Sequence, residues 1–303
     1  MHINIHINHK YKGFTLIEIT IVMVVVGLVI GGIMVGRDLI KTSSLRLVLK
    51  DIENFNLAVG AFQNKYGCIP GDCGHAVDFF GRFGSCGAWS GSQELGSLTC
   101  NGNGNGQITR MNIASPPWWW RYDEGTLFWQ QLAFAGLIQG KYTGLIYDSP
   151  NTLTLSGTSQ NVPKSRVEGG CYSVNSSYST GGLYCDYPFG KTYNTSAFGN
   201  FFALGHPKAY NGTGANTSSC SGGLYTLPAA DAKYLDEKID DGKPFTGKVQ
   251  SLLDLYGGPS NLSSNVTYPG CLNSNGSYGS AVTTTYDSSA ARTACQLFFK
   301  AGF

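Results

Sequence analysis

A chain of 303 residues, 42% hydrophobic and 13% charged, can form one large domain or two small ones, and its composition excludes a disordered polymer. The formal charge of +2 is supplied by Lys10 and Lys12, ahead of the first apolar run, so the body is neutral and lacks the general basic surface that nucleic-acid backbones require. Only His75 and His206 of the five histidines lie beyond residue 13, and no nucleophile elbow, zinc-helix motif or phosphate loop is visible; the sequence points away from an enzyme.

In chain order, residues 1–13 form a polar leader. From 14 to 36 the chain reads FTLIEITIVMVVVGLVIGGIMVG, in which Glu18 is the sole ionisable side chain. About twenty apolar residues in a helix span a bilayer. The lysines of the leader hold it in the cytoplasm and send the remainder across the membrane. All nine cysteines follow the apolar run, as an exported chain in an oxidising compartment would have them. No C-x-x-C spacing occurs, which favours disulfides over zinc. Near-neighbour spacing suggests Cys68–Cys73, Cys86–Cys100 and Cys171–Cys185, and an odd count leaves one thiol over.

A carboxylate in hydrocarbon costs roughly 2.5–3.5 kcal/mol even on the lenient insertion scale, so Glu18 either finds a partner or snorkels to the headgroups. Gly27, Gly31, Gly32 and Gly36 give small-xxx-small spacings that admit close helix approach. Beyond Arg37 and Asp38, residues 37–66 continue the helix as an amphipathic half. Leu45, Val48, Ile52, Phe55, Val59, Phe62 and Tyr66 recur at threes and fours, and Gly67 and Pro70 stop it. A helix over 14–66 would be about 80 Å long.

The segment Gly13-Phe14-Thr15-Leu16-Ile17-Glu18 resembles the class III signal of type IV prepilins and type II secretion pseudopilins. The resemblance implies cleavage between Gly13 and Phe14 by prepilin peptidase, N-methylation of Phe14, and pairing of Glu18 with the Phe14 amine of a neighbour to set assembly register. It also implies other pilins or pseudopilins and an inner-membrane assembly platform as partners. The head would stand in the periplasm before entering a periplasmic or extracellular filament. In pilins a glycine at the place of Gly27 opens a stretch that unwinds in filaments and is ended by a proline; Val35 stands at that proline's place. Gly31, Gly32 and Gly36 are the residues left to loosen the helix.

Three further segments resemble a group of large prepilin-type proteins close to the type II secretion pseudopilins. They are Tyr66-Gly67-Cys68-Ile69-Pro70-Gly71-Asp72, the FWQQLAFAGLI stretch over 128–138, and Lys238-Ile239-Asp240-Asp241-Gly242-Lys243-Pro244 with Thr246-Gly247-Lys248-Val249. The expected fold class is α+β and pilin-like: a long N-terminal helix packed on an antiparallel sheet in a head over 67–303, with long disulfide-bonded loops. A short helix is expected over 128–137, with Phe128, Leu132 and Ala135 on its buried face and Gly136 at its end. An exposed helix is expected over 228–241.

Asn101-Gly102-Asn103-Gly104-Asn105-Gly106-Gln107-Ile108 has the spacing of a calcium loop, which makes Asn101, Asn103, Asn105 and Gln107 candidate ligands. The acidic ligands are neutral amides here and Asn112 replaces the bidentate Glu, so binding would need Asp123 or Glu124 to fold in. A plain Asn-Gly turn series is the alternative. Trp118, Trp119 and Trp120 read either as core or lid packing or as a carbohydrate or subunit contact. The stretches 143–225 and 257–290 read as strands with long loops, including 152–155 and 281–286. The leading function is a structural subunit of a type IV pilus or type II secretion pseudopilus, with the bulky head favouring a minor one. A pilus-displayed adhesin is the alternative, and a membrane-anchored periplasmic enzyme a distant third.

Overall fold

The computed structural model describes residues 13–81, 99–108, 124–142, 144, 162–167, 170–176, 199–205, 227–244, 246–251, 293–295 and 297–303. The leader over 1–12, Cys86, Cys185, the Trp118 to Trp120 run, Asp123 and the expected strands at 152–155 and 281–286 lie outside them. The chain divides into two compact units, Met1–Ser44 and Leu45–Phe303.

Helix α1, Leu16–Tyr66, contributes to both units and is unbroken through all four glycines of its apolar part. In the first unit nearly every side chain of α1 is exposed, from Leu16 at 82% to Leu39 at 66%. This is the one described helix long and apolar enough to cross a membrane. In the second unit α1 buries Leu45, Val48, Ile52, Phe55, Ala58, Val59 and Phe62. This is the expected stripe with Ala58 added, and Tyr66 only half-buried at its end. A helix that keeps its apolar side chains in solution gains little from propensity alone, so tertiary burial holds the second part and a non-aqueous environment must hold the first.

The head carries helices α2, Ala76–Phe80, α3, Glu124–Phe134, and α4, Ala229–Ile239. Its main sheet has strands β1, Cys171–Ser176, β2, Asn200–Gly205, β4, Val249–Ser251, and β6, Leu297–Lys300, in the order β1-β2-β6-β4 and antiparallel throughout. Strands β3, Leu227–Pro228, and β5, Thr293–Cys295, pair separately. Alternation sorts the strand residues to two faces. Tyr172, Val174, Phe202, Leu204, Leu297 and Phe299 join the main core, while Phe201, Ala203 and Phe298 form a second, smaller cluster. The core centres on Phe55 of α1, whose ring lies 4.9 Å from Trp129, 5.2 Å from Tyr172 and 5.7 Å from Phe202. One side chain therefore joins α1, α3 and both neighbouring strands, and the head is the expected pilin-like α+β arrangement.

Two helices differ from expectation. Helix α3 begins at Glu124 and buries Leu127, Trp129, Gln130 and Gln131 as well as Phe128 and Leu132, so the expected single buried face is a helix covered nearly all round. Ala135 is only half-buried. Its end is as expected: the N–H groups of Gly136 and Leu137 donate to Ala133 O and Leu132 O, with Gly136 at φ 72°, the left-handed geometry a Schellman close needs. Helix α4 starts after Pro228 and stops at Ile239, and it is not simply exposed. Asp231 and Asp236 are buried along with Ala229, Ala232 and Leu235; the three apolar residues join the main core, and the turn that follows folds back on Asp236.

Candidate functional site

At the N-terminus Gly13 has no atom within 4 Å of where a side chain would stand, and Phe14 is 83% exposed, so no described residue covers the Gly13-Phe14 bond. Glu18 folds back on Thr15. Its Oε2 accepts the Thr15 N–H and the Thr15 hydroxyl, both at 2.8 Å, while Thr15 Oγ1 accepts the Glu18 N–H at 3.3 Å. That is a reciprocal capping box, which satisfies donors that every helix start leaves open. The T-x-x-E spacing of this box is present in the sequence, where the apolar surroundings of Glu18 mark it only as a charge in lipid.

In the head, three of the segments singled out above meet in one knot. The Gly71 N–H donates to Gln131 Oε1 at 2.7 Å, and Gln131 Nε2 donates to Cys100 O at 3.1 Å and Thr99 Oγ1 at 3.3 Å. Gly71 sits at φ 82°, and a Cβ there would strike the Glu124 carbonyl. One at Gly102 would strike Gly71 and Asp72. Close backbone contact thus requires glycine at these two positions.

Asp72, 4% exposed, and Glu124, fully buried, close the Asn-Gly loop. The Asn105 and Gly106 N–H groups donate to the Asp72 carboxylate at 3.1 and 2.7 Å, and the Asn103 N–H donates to Glu124 Oε1 at 3.0 Å. Burial pushes the Asp72 carboxyl above its ordinary range, against the pull of the N–H groups it accepts. Of the residues expected to bind calcium, Asn101 turns its Oδ1 to the Val77 N–H, Asn103 to the Asn105 N–H, and Asn105 to the Gln107 N–H. Gln107 enters through its N–H. The side-chain oxygens of Asn101, Asn103 and Asn105 are thus directed at the chain's own amides. Asn200 locks the far end: it accepts the Ile108 N–H and donates to Gly106 O and Phe303 O.

A second carboxylate group was not anticipated. Asp236, Asp240 and Asp241 bring oxygens within 4.8 Å of one another. Asp236 Oδ1 accepts the Gly242 N–H, Asp240 Oδ2 accepts those of Lys248 and Val249, and Asp241 accepts the Lys243 N–H and the Thr246 hydroxyl. The acids staple the 240–249 turn to α4 and deliver Val249 to the sheet. The alternation of acidic and basic residues had suggested a solvated face; it conceals this turn.

Cys68 and Cys73 are joined in a disulfide that closes the Ile69-Pro70-Gly71 turn, as the near-neighbour spacing suggested. Cys100, Cys171 and Cys295 are disulfide-bonded as well. The expected pairs of Cys100 and Cys171 involve Cys86 and Cys185, outside the described residues.

Residues 8–34 match the family described as the prokaryotic N-terminal methylation motif, the prepilin-type signal of type IV pilins and pseudopilins. No curated protein and no solved structure matches the chain significantly. The match is confined to the N-terminal segment, where it overlaps the exposed apolar helix, and together they mark a membrane-anchored chain that carries a prepilin-type signal.

Proposed function

We propose that this chain is a structural, minor subunit of a type IV pilus or type II secretion pseudopilus. Prepilin peptidase cleaves it between Gly13 and Phe14 and methylates Phe14, and the subunit is then drawn from the inner membrane into a filament through the apolar part of α1. The observation that carries this reading is the coincidence of the matched signal at 8–34 with a helix whose apolar side chains from Leu16 to Val35 are exposed. Such a surface needs lipid before assembly and other helices after it.

The capping box gives Glu18 a defined role in both states. In the free subunit its carboxylate is engaged by Thr15. In the filament the Phe14 amine of a neighbour competes for it, and a charged donor outbids a hydroxyl in a site without water. The bulk of the head favours a minor position, because a large head is harder to repeat along a thin fibre. Glu18→Leu keeps the helix apolar and tests the reading in cells. The expected variant is cleaved and stays in the membrane but is missing from the sheared filament fraction. Normal incorporation of Glu18→Leu would contradict the role given to this carboxylate.

A further inference from the structure

The Asn101 to Gln107 loop holds three consecutive Asn-Gly pairs, with Asn103 and Asn105 exposed. Asparagine is a thermolabile residue, and it is most so before glycine, where no side chain shields the next backbone nitrogen. That nitrogen is the nucleophile of deamidation. In this loop all three are occupied: the N–H of Gly102 donates to Cys73 O at 2.9 Å, that of Gly104 to Asp72 O at 2.9 Å, and that of Gly106 to Asp72 Oδ2 at 2.7 Å.

We propose that this loop is a deamidation site kept silent by the Asp72-Cys73 segment, and that Asn105 is the residue released first. The attacking nitrogen must lose its proton, and a carboxylate acceptor opposes that loss by placing negative charge beside the forming anion. Gly102 and Gly104 are held by main-chain carbonyls, which only a backbone rearrangement removes. Gly106 is held by a side chain alone. The Asn side chains add a second restraint, since each Oδ1 is engaged by an N–H other than that of the following glycine.

When the hold on Gly106 is lost, its nitrogen gives up the proton to water and bonds to Asn105 Cγ. The Cγ–Nδ2 bond breaks, and Nδ2 leaves as ammonia with a proton regained from water. One water then opens the cyclic imide to aspartate or isoaspartate at position 105, with no change in oxidation state. The product puts a new carboxylate into a loop already closed by those of Asp72 and Glu124, so the modification would loosen the knot that joins the loop to α3.

The test ages the full-length chain in detergent at mildly alkaline pH and follows each Asn-Gly pair by peptide mass mapping that separates aspartate from isoaspartate. In the native chain all three pairs are expected to convert at least about tenfold more slowly than in the same chain unfolded in urea, the effect of holding one charge-assisted or buried hydrogen bond. Asp72→Ala is expected to accelerate Asn105 by about tenfold and the other two less, because only Gly106 loses its sole acceptor. Equal rates in the native and unfolded wild-type chain overturn the proposal whatever the variant does. Acceleration of all three pairs alike, or of none, in Asp72→Ala overturns the role of its carboxylate.

Discussion

The two parts of α1 share one helix and obey opposite rules. Over 16–36 the side chains are almost all apolar and exposed, while over 45–66 one stripe of apolar side chains is buried at helical spacing, with Leu47 and Leu57 exposed outside it. The first part has no stripe because it has no single partner face; it is apolar all round, as a span or an assembly helix must be. The second has a stripe because one face meets a sheet and α3. Secondary structure is the same in both, so what distinguishes them is where each is stable.

The contrast can be broken most forcefully at its centre. Phe55→Ala removes the ring that touches Trp129, Tyr172 and Phe202, and it is expected to cost the head about 3–5 kcal/mol, measured by denaturant unfolding in detergent. A loss below 1 kcal/mol would mean that α1 is not integral to the head's core. Gln131→Ala strips the acceptor from the buried Gly71 N–H and the donor from Cys100 O, and is expected to cost about 1–3 kcal/mol by the same measurement.

A smaller effect concerns pH. Burial raises the Asp51 carboxyl above its ordinary range, against the Tyr172 hydroxyl it accepts at 3.0 Å and the nearby charges of Arg166 and Lys50. The folded chain therefore holds a proton there that the unfolded chain releases at about pH 3.9. Between that pH and the raised folded value, stability contributed by this group falls as pH rises, and the cost is fully present above it. Asp51→Asn is expected to abolish that slope, so that wild type gains on the variant as pH drops through the acid window. Parallel pH profiles would refute the assignment.

The smallest effect lies in the other part of the helix. Leu28→Ala, at a side chain 72% exposed, is expected to change head stability by no more than about 0.5 kcal/mol, whereas the same change at a buried α1 position would cost several times more.

Periodicity made the buried stripe of α1 readable, and the one-charge apolar run made its first part readable, since both signals are local. The Gly71-Gln131 and Asp72-Gly106 contacts are not local: they join residues 60 and 34 positions apart, and single residues such as Gln131 carry no pattern of their own. In the sequence Glu124 stands out only as a calcium ligand for the Asn-Gly loop, and the structure uses it to accept a backbone N–H. The strands were read least well. Cys171–Ser176 and Asn200–Gly205 are short, are buried on both faces, and sit among Gly-, Ser- and Asn-rich residues, which mask their alternation.

The most direct test of the central claim is the intact mass and N-terminal sequence of the protein taken from its native membrane, with Gly13→Val alongside. The account predicts a mature chain beginning at a methylated Phe14, and full-length precursor in the variant. An uncut wild-type chain, or a cut beyond Gly36 that discards the apolar helix, would contradict it.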